Sequence, residues 1–216
     1  MELIVTSYCE IHEKKVVIND RLAFFKENFL NFADFLKSVY KQEEINYPKF
    51  YKMDSVSKLG FLATELVLKE KSITGYRNDA VGVVLSNSSS SLDTDILHND
   101  TIKDRTNYFP SPSVFVYTLP NIVIGEICIK NKINGENVFL VSETFDGKLL
   151  VDYVSELFLR SRLDACLCGW VEVLGNKYKA LIMLVEKGSF EGNEIPQGFV
   201  PIPFTISNLN QLIVRN

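Results

Sequence analysis

The chain of 216 residues is 46% hydrophobic and 23% charged, which is the mixture of a globular protein with a sizeable core. Its 27 acidic and 23 basic residues give a formal net charge of −4, and no run of Lys or Arg could neutralise a row of phosphates. The composition excludes disorder, collagen-like repeats and disulfide scaffolds, and it gives no reason to expect nucleic acid as a partner.

The sequence indicates neither export nor a membrane span. The longest stretch without charge, residues 106–125, is interrupted by three prolines, and the N-terminus has an acidic Glu2 and only a short apolar run. Four cysteines without a secretory context are typical of reduced thiols. The alternation of Cys166 and Cys168 predicts two buried thiols on one face of a strand rather than a metal or redox pair. We therefore expect a cytoplasmic protein with no integral membrane segment.

Hydrophobic periodicity predicts the elements in chain order. The chain opens with a strand over residues 2–7, and His12 is expected on the loop that leaves it. Apolar residues, most of them aromatic, then repeat at mixed spacings of three and four from Leu22 to Tyr40 and include Phe29. This pattern predicts one or two aromatic-rich helices whose rings lie in the core.

The next segments have clearer boundaries. A side-chain oxygen at Asp54 or Ser55 can accept from open backbone N–H groups, which predicts a helix that ends near Lys71. The β-branched run at residues 79–85 predicts a strand buried on both faces. The serine-rich loop at residues 86–91 has two interpretations, a plain turn or a place where backbone amides approach a ligand, and we favour the turn.

Alternating β and α patterns continue to residue 187 without a linker, which favours one α/β layer domain over residues 1–216. The remaining predicted elements are a helix over 120–131 with Pro120 near its first turn, a turn at Asn134-Gly135, a buried strand over 138–142, a helix over 147–162, strands over 164–174 and 178–186 joined as an antiparallel hairpin, and an irregular C-terminal extension over 187–216.

Two segments resemble a known family. Residues 115–137 resemble a segment of β-ketoacyl synthases, the Claisen-condensing enzymes of the thiolase-like fold. In that family the segment is a helix beside the two-fold axis of the dimer, a turn, and the start of the strand that leads to the nucleophile. The family ends this stretch in a Gly-Pro-Ser/Asn turn, and here it is Gly135-Glu136-Asn137. Residues 138–170 resemble its nucleophile strand, elbow, helix and following strand, which closes here in the run from Asp164 to Trp170.

Weaker matches at residues 51–59 and 81–95 follow the family in the same order, so the resemblance covers about residues 1–187. It implies an α/β fold, the N-terminal half of the thiolase-like fold, with a mixed five-stranded sheet and helices on both faces. Counted without a gap, the family's nucleophile position falls on Thr144, with Gly147 matching the elbow glycine. A shifted register puts Phe145 there instead.

The chemistry of a condensing enzyme is missing from these positions. The family uses a cysteine whose thiolate accepts the acyl group, and neither Thr144 nor Phe145 can replace it. Its two catalytic histidines come from the second half of a chain about twice this length, whereas His12 and His98 match no family site and are expected at the surface or in loops. Asp93 and Asp95 are expected to form a turn rather than an acid/base pair. No catalytic residue, metal or cofactor is therefore expected.

The resemblance implies a partner subunit of the chain-length-factor type, which lacks the cysteine itself and completes a catalytic subunit in fatty acid, polyketide or aryl polyene biosynthesis. The partner would be a full-length β-ketoacyl synthase, or a second copy of this chain as a homodimer, and acyl carrier protein is a further implied partner. In the family the strand before the nucleophile, here residues 137–142, pairs across the two-fold axis. The implied interface or acyl-tunnel residues are Phe115, Tyr117, Thr118, Pro120, Asn121, Ile124, Asn137, Phe139 and Val141.

Two alternatives remain open. One is an enzyme in which Thr144, or a cysteine such as Cys128 brought near by folding, supports acyl transfer; the other is an acyl-binding or structural module. The helix over 147–162 adds a physical prediction, because its apolar residues share one broad face and its charged residues, up to Arg162, lie largely opposite. We expect Asp152 and Glu156 to be exposed to solvent.

Overall fold

A computed structural model describes residues 2–25, 31–106, 108–160, 163–188 and 195–214. Within these ranges the strands are β1 (Leu3–His12), β2 (Lys15–Ile18), β3 (Arg21–Phe25), β4 (Val81–Asn87), β5 (Asn137–Val141), β6 (Ala165–Leu174), β7 (Lys177–Lys187) and β8 (Ile202–Pro203). The α-helices there are α1 (Phe32–Gln42), α2 (Ser55–Glu70), α3 (Leu92–Asp100), α4 (Pro112–Phe115), α5 (Ile122–Asn131), α6 (Gly147–Arg160) and α7 (Ile206–Val214). No helix among the described residues has the length and apolar character needed to cross a membrane.

The strands form one mixed sheet in the order β3-β2-β1-β7-β6-β4-β5, and β8 pairs with β1. Strand β4 pairs in parallel with β5 and β6, whereas β7 pairs antiparallel with both β1 and β6. The predicted mixed α/β sheet is confirmed, but its predicted size of five strands is wrong. The five predicted strands correspond to β1, β7, β6, β4 and β5, and β2, β3 and β8 extend the sheet to eight.

The extra strands near the N-terminus come from two tight turns, neither of which was predicted from the sequence. Glu13 and Lys14 have φ angles of 45° and 61° and form the two-residue connection from β1 to β2. Asn19 and Asp20, at 50° and 64°, connect β2 to β3 in the same way. Positive φ at both central residues is the geometry of a type I′ hairpin turn, which few residues other than Asn, Asp and Gly favour.

The helix predicted to begin at Leu22 is therefore corrected at its start. Residues of β3 alternate between the two sides of a strand, and the helix α1 begins only at Phe32, where the side chain of Asn31 accepts from the Asp34 N–H at 2.9 Å. A short continuous apolar run such as Leu22 to Phe25 does not distinguish a strand from a helix by its periodicity. The predicted core residue Phe29 lies outside the described residues.

Several predicted elements are confirmed closely. Helix α2 begins at Ser55 with Asp54 as its N-cap, which accepts from the Ser57 N–H at 3.0 Å, and it ends at Glu70 before Lys71. Every residue of β4 is buried. The β6–β7 hairpin turns at Gly175, whose φ of 60° suits a glycine. Helix α5 starts at Ile122, so Pro120 precedes the helix instead of lying in its first turn.

Helices cover both faces of the sheet, as predicted. Helices α1, α2 and α5 bury one face together with Leu167 of β6. Helices α6 and α7 bury the other face, where Cys166 and Cys168 have no exposed surface. The prediction that these two thiols are core residues on one face of a strand is confirmed.

The described part of the C-terminal extension, residues 195–214, contains regular structure from residue 202 onward, which corrects the prediction of an irregular extension. Strand β8 adds to β1, and α7 lies against α6 with Leu209 and Leu212 buried. Three prolines between residues 196 and 203 obscured the short apolar stripe that follows them. The exposure of α6 agrees with its prediction, because the Asp152 and Glu156 side chains are 57% and 48% exposed. The predicted helix end, Arg162, lies outside the described residues.

His12 was predicted on the loop after the first strand, and the structure places it in the strand itself. It is the last residue of β1 and only 6% exposed, with its ring nitrogen 3.6 Å from the Glu10 carboxylate. Burial, and next the charge of Lys179, lowers the pKa of His12 below its usual range. His98 lies within α3 rather than after a loop.

The lowered pKa of His12 predicts a loss of stability in acid. Because the folded protein binds this proton less readily than the unfolded chain, stability is full above the unfolded pKa of about 6.5 and falls as the pH drops from there to the folded pKa. His12→Gln should remove a slope of at most about 1.4 kcal/mol per pH unit in urea unfolding between about pH 7 and 5. His98→Gln is the matched control, and equal slopes in the two variants would contradict the prediction.

Candidate functional site

The last strand of the sheet, β5, has a free edge. The Val83 N–H donates to the Glu136 carbonyl at 2.9 Å, and the Ser142 N–H donates to the Asn87 carbonyl at 3.0 Å. Since N–H and C=O groups alternate in direction along a parallel strand, those of Asn137, Phe139 and Val141 point away from β4. Among the described strands only β4 pairs with β5. The sheet therefore ends in a row of unpaired backbone groups.

This position also corrects the prediction that the strand is buried. Both ends of β5 are exposed, its middle is half-buried, and Val141 is 55% exposed. A run of five residues without charge, Asn137 to Val141, is typical of a covered strand. The same run at a sheet edge is a template for pairing with another chain.

An exposed apolar surface lies on the segments that follow β4. Helices α3 and α4 contact each other, and the His98 ring lies 5.3 Å from the Phe115 ring. We define the α3–α4 apolar surface by its exposed side chains: Leu92, Ile96, Leu97, Phe109, Phe115, Val116 and Leu119. Phe109 and Phe115 are 75% and 60% exposed. Exposed aromatic and aliphatic side chains in such number are typical of an interaction surface.

The residues that the resemblance assigned to an interface divide into three groups by their exposure. Phe115, Asn121, Asn137 and Val141 are exposed, and Thr118, Pro120 and Phe139 are half-buried. Tyr117 and Ile124 are 7% and 2% exposed, so this chain itself covers their side chains. The exposed members lie on α4, on the segment before α5 and on the free edge of β5.

A buried carboxylate anchors the α4 segment. Glu126 of α5 is 4% exposed, accepts from the Tyr117 and Tyr47 hydroxyls at 3.2 and 3.3 Å, and pairs with the Lys49 ammonium at 2.8 Å. Burial, and next the charge of Glu126, raises the pKa of Tyr117, so its hydroxyl stays protonated and donates. One acid within the apolar run of α5 was the only sequence signal for this anchor.

The serine-rich loop is held by this chain's own carboxylate. Glu172 of β6 accepts from the Ser88 N–H at 2.7 Å, from the Ser88 hydroxyl at 2.9 Å and from the Ser89 N–H at 3.2 Å. Asn87 and Ser90 bond to each other across the turn, where Ser90 has a φ of 51°. The amides of Ser88, Ser89 and Ser90 therefore already have an acceptor within this chain. No local signal singled out Glu172, which lies 84 residues beyond Ser88.

The same loop is tied to the α3–α4 segments. The Ser91 hydroxyl donates to the Thr118 carbonyl at 2.8 Å, and the Thr94 hydroxyl donates to Asp54 at 2.9 Å. Asp93 and Asp95 lie in the first turn of α3 instead of a loop, where Asp93 accepts from the Gly175 N–H at 2.9 Å. Their contacts are those of structural carboxylates.

Removing the Glu172 carboxylate should loosen this loop. Glu172→Ala leaves two part-buried N–H groups without their acceptor, so we expect a loss of about 1–3 kcal/mol in the free energy of unfolding. Hydrogen exchange at Ser88 and Ser89 should accelerate. Glu172→Gln keeps one acceptor oxygen and should cost less. Unchanged exchange at both amides in the alanine variant would contradict the assigned role.

The elbow before α6 shows what stands at the nucleophile position. Thr144 is exposed, Phe145 lies against Trp170 with ring centroids 6.0 Å apart, and Asp146 caps α6 by accepting from the Leu149 N–H at 2.9 Å. A cavity of about 360 Å³ at this elbow is lined by Ser142, Glu143, Thr144, Phe145, Asp146, Gly147, Lys148, Ile206 and Asn210. This lining contains no histidine and no cysteine, so it offers Thr144 no imidazole base and supplies no thiol nucleophile.

The elbow is partly covered by the C-terminal helix. Asn210 of α7 lies so close to Gly147 that a Cβ atom there would come within 2.6 Å of its side-chain oxygen. The lack of a side chain at Gly147 thus allows α7 to pack closely against α6.

None of the four thiols is activated. Burial raises the pKa of Cys128 to about 11, and it raises the pKa of Cys9, Cys166 and Cys168 as well. A nucleophilic cysteine requires the opposite shift, because the thiolate is the reactive form. The geometry gives no support to acyl transfer at Cys128.

Comparisons with known proteins add information on the fold. No family model and no curated protein matches the sequence. Among solved structures, the chain matches "The ishigamide ketosynthase/chain length factor" with a TM-score of 0.64 and 14% identity, over 89% of this chain and 64% of that chain. It also matches a ketosynthase in complex with its chain length factor from Xenorhabdus doucetiae, with a TM-score of 0.53 and 14% identity, over 87% of this chain and 80% of that chain.

A third match is a β-ketoacyl synthase from Burkholderia phymatum, with a TM-score of 0.59 and 13% identity. It covers 86% of this chain and 59% of that chain, so the present chain spans less than two thirds of this relative and of the first. The chain has the thiolase-like fold of ketosynthases and chain length factors. The fold implied by the sequence resemblance is confirmed.

Proposed function

We propose that the protein is a non-catalytic, chain-length-factor-like subunit that associates with a full-length 3-oxoacyl-[acyl-carrier-protein] synthase in fatty acid, polyketide or aryl polyene biosynthesis. The observation that carries the proposal is the free edge of β5 in a ketosynthase fold whose elbow holds Thr144 instead of a cysteine. An unpaired edge strand gains backbone hydrogen bonds when another strand is added to it.

Exposed apolar side chains support a partner of substantial size. The α3–α4 apolar surface exposes seven large apolar side chains, and Glu126 and Ser91 hold the segments that carry them. Fixed apolar side chains together with a free strand are the features expected at a stable interface. In this proposal Phe115, Asn121, Asn137 and Val141 contact the partner. Tyr117 and Ile124 are buried beneath this surface and do not contact the partner directly.

The fold relatives include complexes of the proposed type. One is a ketosynthase in complex with its chain length factor. Another, matched with a TM-score of 0.58 and 15% identity over 87% of this chain and 63% of that chain, is a type II PKS acyl-carrier protein in complex with its ketosynthase. By analogy, the partner supplies the nucleophile and the acyl chain reaches this subunit only through the partner. Acyl carrier protein then contacts the complex and not this chain alone.

Co-expression with each full-length ketosynthase of the same genome tests the proposal. We expect a 1:1 complex on size-exclusion chromatography with light scattering. The complex, but not this chain alone, should accept an acyl group from acyl carrier protein. Thr144→Ala should leave loading unchanged. Loading of the isolated chain that Thr144→Ala abolishes, or failure to co-purify with every ketosynthase tried, would overturn the proposal.

A further inference from the structure

We infer that the acidic residues flanking β5 prevent two copies of this chain from pairing with each other and select a partner whose edge strand is flanked by Lys or Arg. This inference rests on the proposed function, because it concerns the same edge. It adds the chemistry of the partner and decides between a second copy and a different subunit.

The segment around β5 carries charge of one sign. Between Lys132 and Lys148 there are three acidic residues, Glu136, Glu143 and Asp146, and no basic residue. All three are exposed. Asp146 caps α6, whereas Glu136 and Glu143 have no ion pair within the described part of the chain. Lys148 is already paired with Asp152.

The hydrogen-bonding direction of β5 limits how two copies can pair. The outward groups belong to Asn137, Phe139 and Val141, so an antiparallel pair about a two-fold axis uses all three only when Phe139 faces Phe139. Asn137 then faces Val141 at both ends.

In this register Glu136 of one copy faces Ser142 of the other, and Glu143 follows directly. The backbones at Glu136 of one copy and Glu143 of the other then lie within about 8 Å, with the two side chains on opposite faces of the ribbon, so their repulsion is strongest at low salt, where the screening length is well above 8 Å. The same approach recurs at the other end of the ribbon. Shifting the register by two residues puts either Asn137 opposite Glu143 or Val141 opposite Gly135, so in both directions one end of β5 faces a residue outside the strand and gives up outward hydrogen bonds.

Self-pairing therefore places acid near acid at both ends with no cation between them. A partner with Lys or Arg at the positions that approach Glu136 and Glu143 replaces two repulsions by two attractions. Charges at strand edges commonly prevent unwanted pairing in this way. The charges at the edge of β5 thus determine which partner binds, and the α3–α4 apolar surface provides the area that the partner buries.

A charge-reversal series in the isolated chain tests this inference. Glu143→Lys places a cation beside Glu136 at both ends of the self-pair. We expect its self-association constant, measured by analytical ultracentrifugation at low salt, to exceed that of the wild type at least tenfold. Glu143→Gln should give an intermediate gain. Glu13→Lys, at the exposed β1–β2 turn, makes the same change in net charge and should give none.

Adding Val141→Pro to Glu143→Lys identifies the surface, because the proline should abolish the gain if the dimer forms through β5. Circular dichroism verifies that the variants are folded. A second readout needs no mutation: raised salt screens the acidic residues and should strengthen the self-association of the wild type. Wild-type dimers as tight as those of Glu143→Lys, or a gain equal to that of Glu13→Lys, would overturn the inference. A normal Glu143→Lys gain without any ketosynthase complex would refute the proposed function and leave the edge-charge inference standing.

Discussion

Val141→Pro should weaken the complex with a ketosynthase partner by about 30-fold while leaving this subunit folded. The Val141 N–H points away from β4, so proline removes no bond of the β4–β5 ladder. It does remove a donor to the added strand, and its ring occupies the space that the facing carbonyl needs. An interface carbonyl left buried and unpaired costs about 1–3 kcal/mol, and about 2 kcal/mol corresponds to a factor of about 30 in Kd.

Val141→Thr is the matched control, since it keeps both the β-branched shape and the N–H group. Its affinity should stay within about threefold of wild type, because one exposed edge side chain contributes little. Surface plasmon resonance with immobilised ketosynthase measures both variants, and their unfolding midpoints in urea show that the fold is intact. Equal affinities of the proline and threonine variants would exclude β5 from the interface.

Gly169→Ala should destabilise the protein by about 3 kcal/mol or more, through overpacking at a site that cannot relax. Gly169 lies in β6 between Leu85 of β4 and Ile182 of β7, with a φ of 156°. A Cβ atom there would lie 1.8 Å from the Leu181 carbonyl oxygen, which is backbone of the adjacent strand. The β6–β7 pairing must therefore open to admit even one methyl group.

Gly125→Ala makes the same glycine-to-alanine change, but it should increase the stability of the protein. Gly125 lies in α5, and a Cβ atom added there would meet no other side chain within 4 Å, so alanine should stabilise by about 0.5–1 kcal/mol through helix propensity. Urea unfolding followed by the fluorescence of the single tryptophan, Trp170, reports both variants. A loss below about 1 kcal/mol in Gly169→Ala would show that the strands separate more easily than this geometry implies.

Local patterns predicted the centre of the molecule well. The N-cap at Asp54, the fully buried β4 and the β6–β7 hairpin each depend on residues close in sequence, and each is confirmed. The exposure of Asp152 and Glu156 followed from the two-sided pattern of α6. These features share a physical basis, since capping, turns and periodicity act within a few residues.

The errors arose where contacts distant in sequence decide the outcome. Leu22 belongs to a strand because β2 is available to pair with it, and the helix α7 forms because its two leucines are buried against α6. His12 is buried because β7 and its Lys179 lie alongside. Secondary-structure preference is weak over so few residues, so tertiary packing overrides it.

The sequence by itself determined the α/β class, the resemblance to ketosynthases, the absence of a cysteine at position 144 and the burial of Cys166 and Cys168. Each of these is a matter of residue identity or of local period. Only the tertiary structure decided that β5 is the free edge of the sheet, that Glu172 holds the serine-rich loop and that Glu126 joins Tyr47 to Tyr117. These facts depend on which strand stands last and on side chains that meet across the fold, since Glu172 lies 84 residues from Ser88 and Glu126 lies 79 residues from Tyr47.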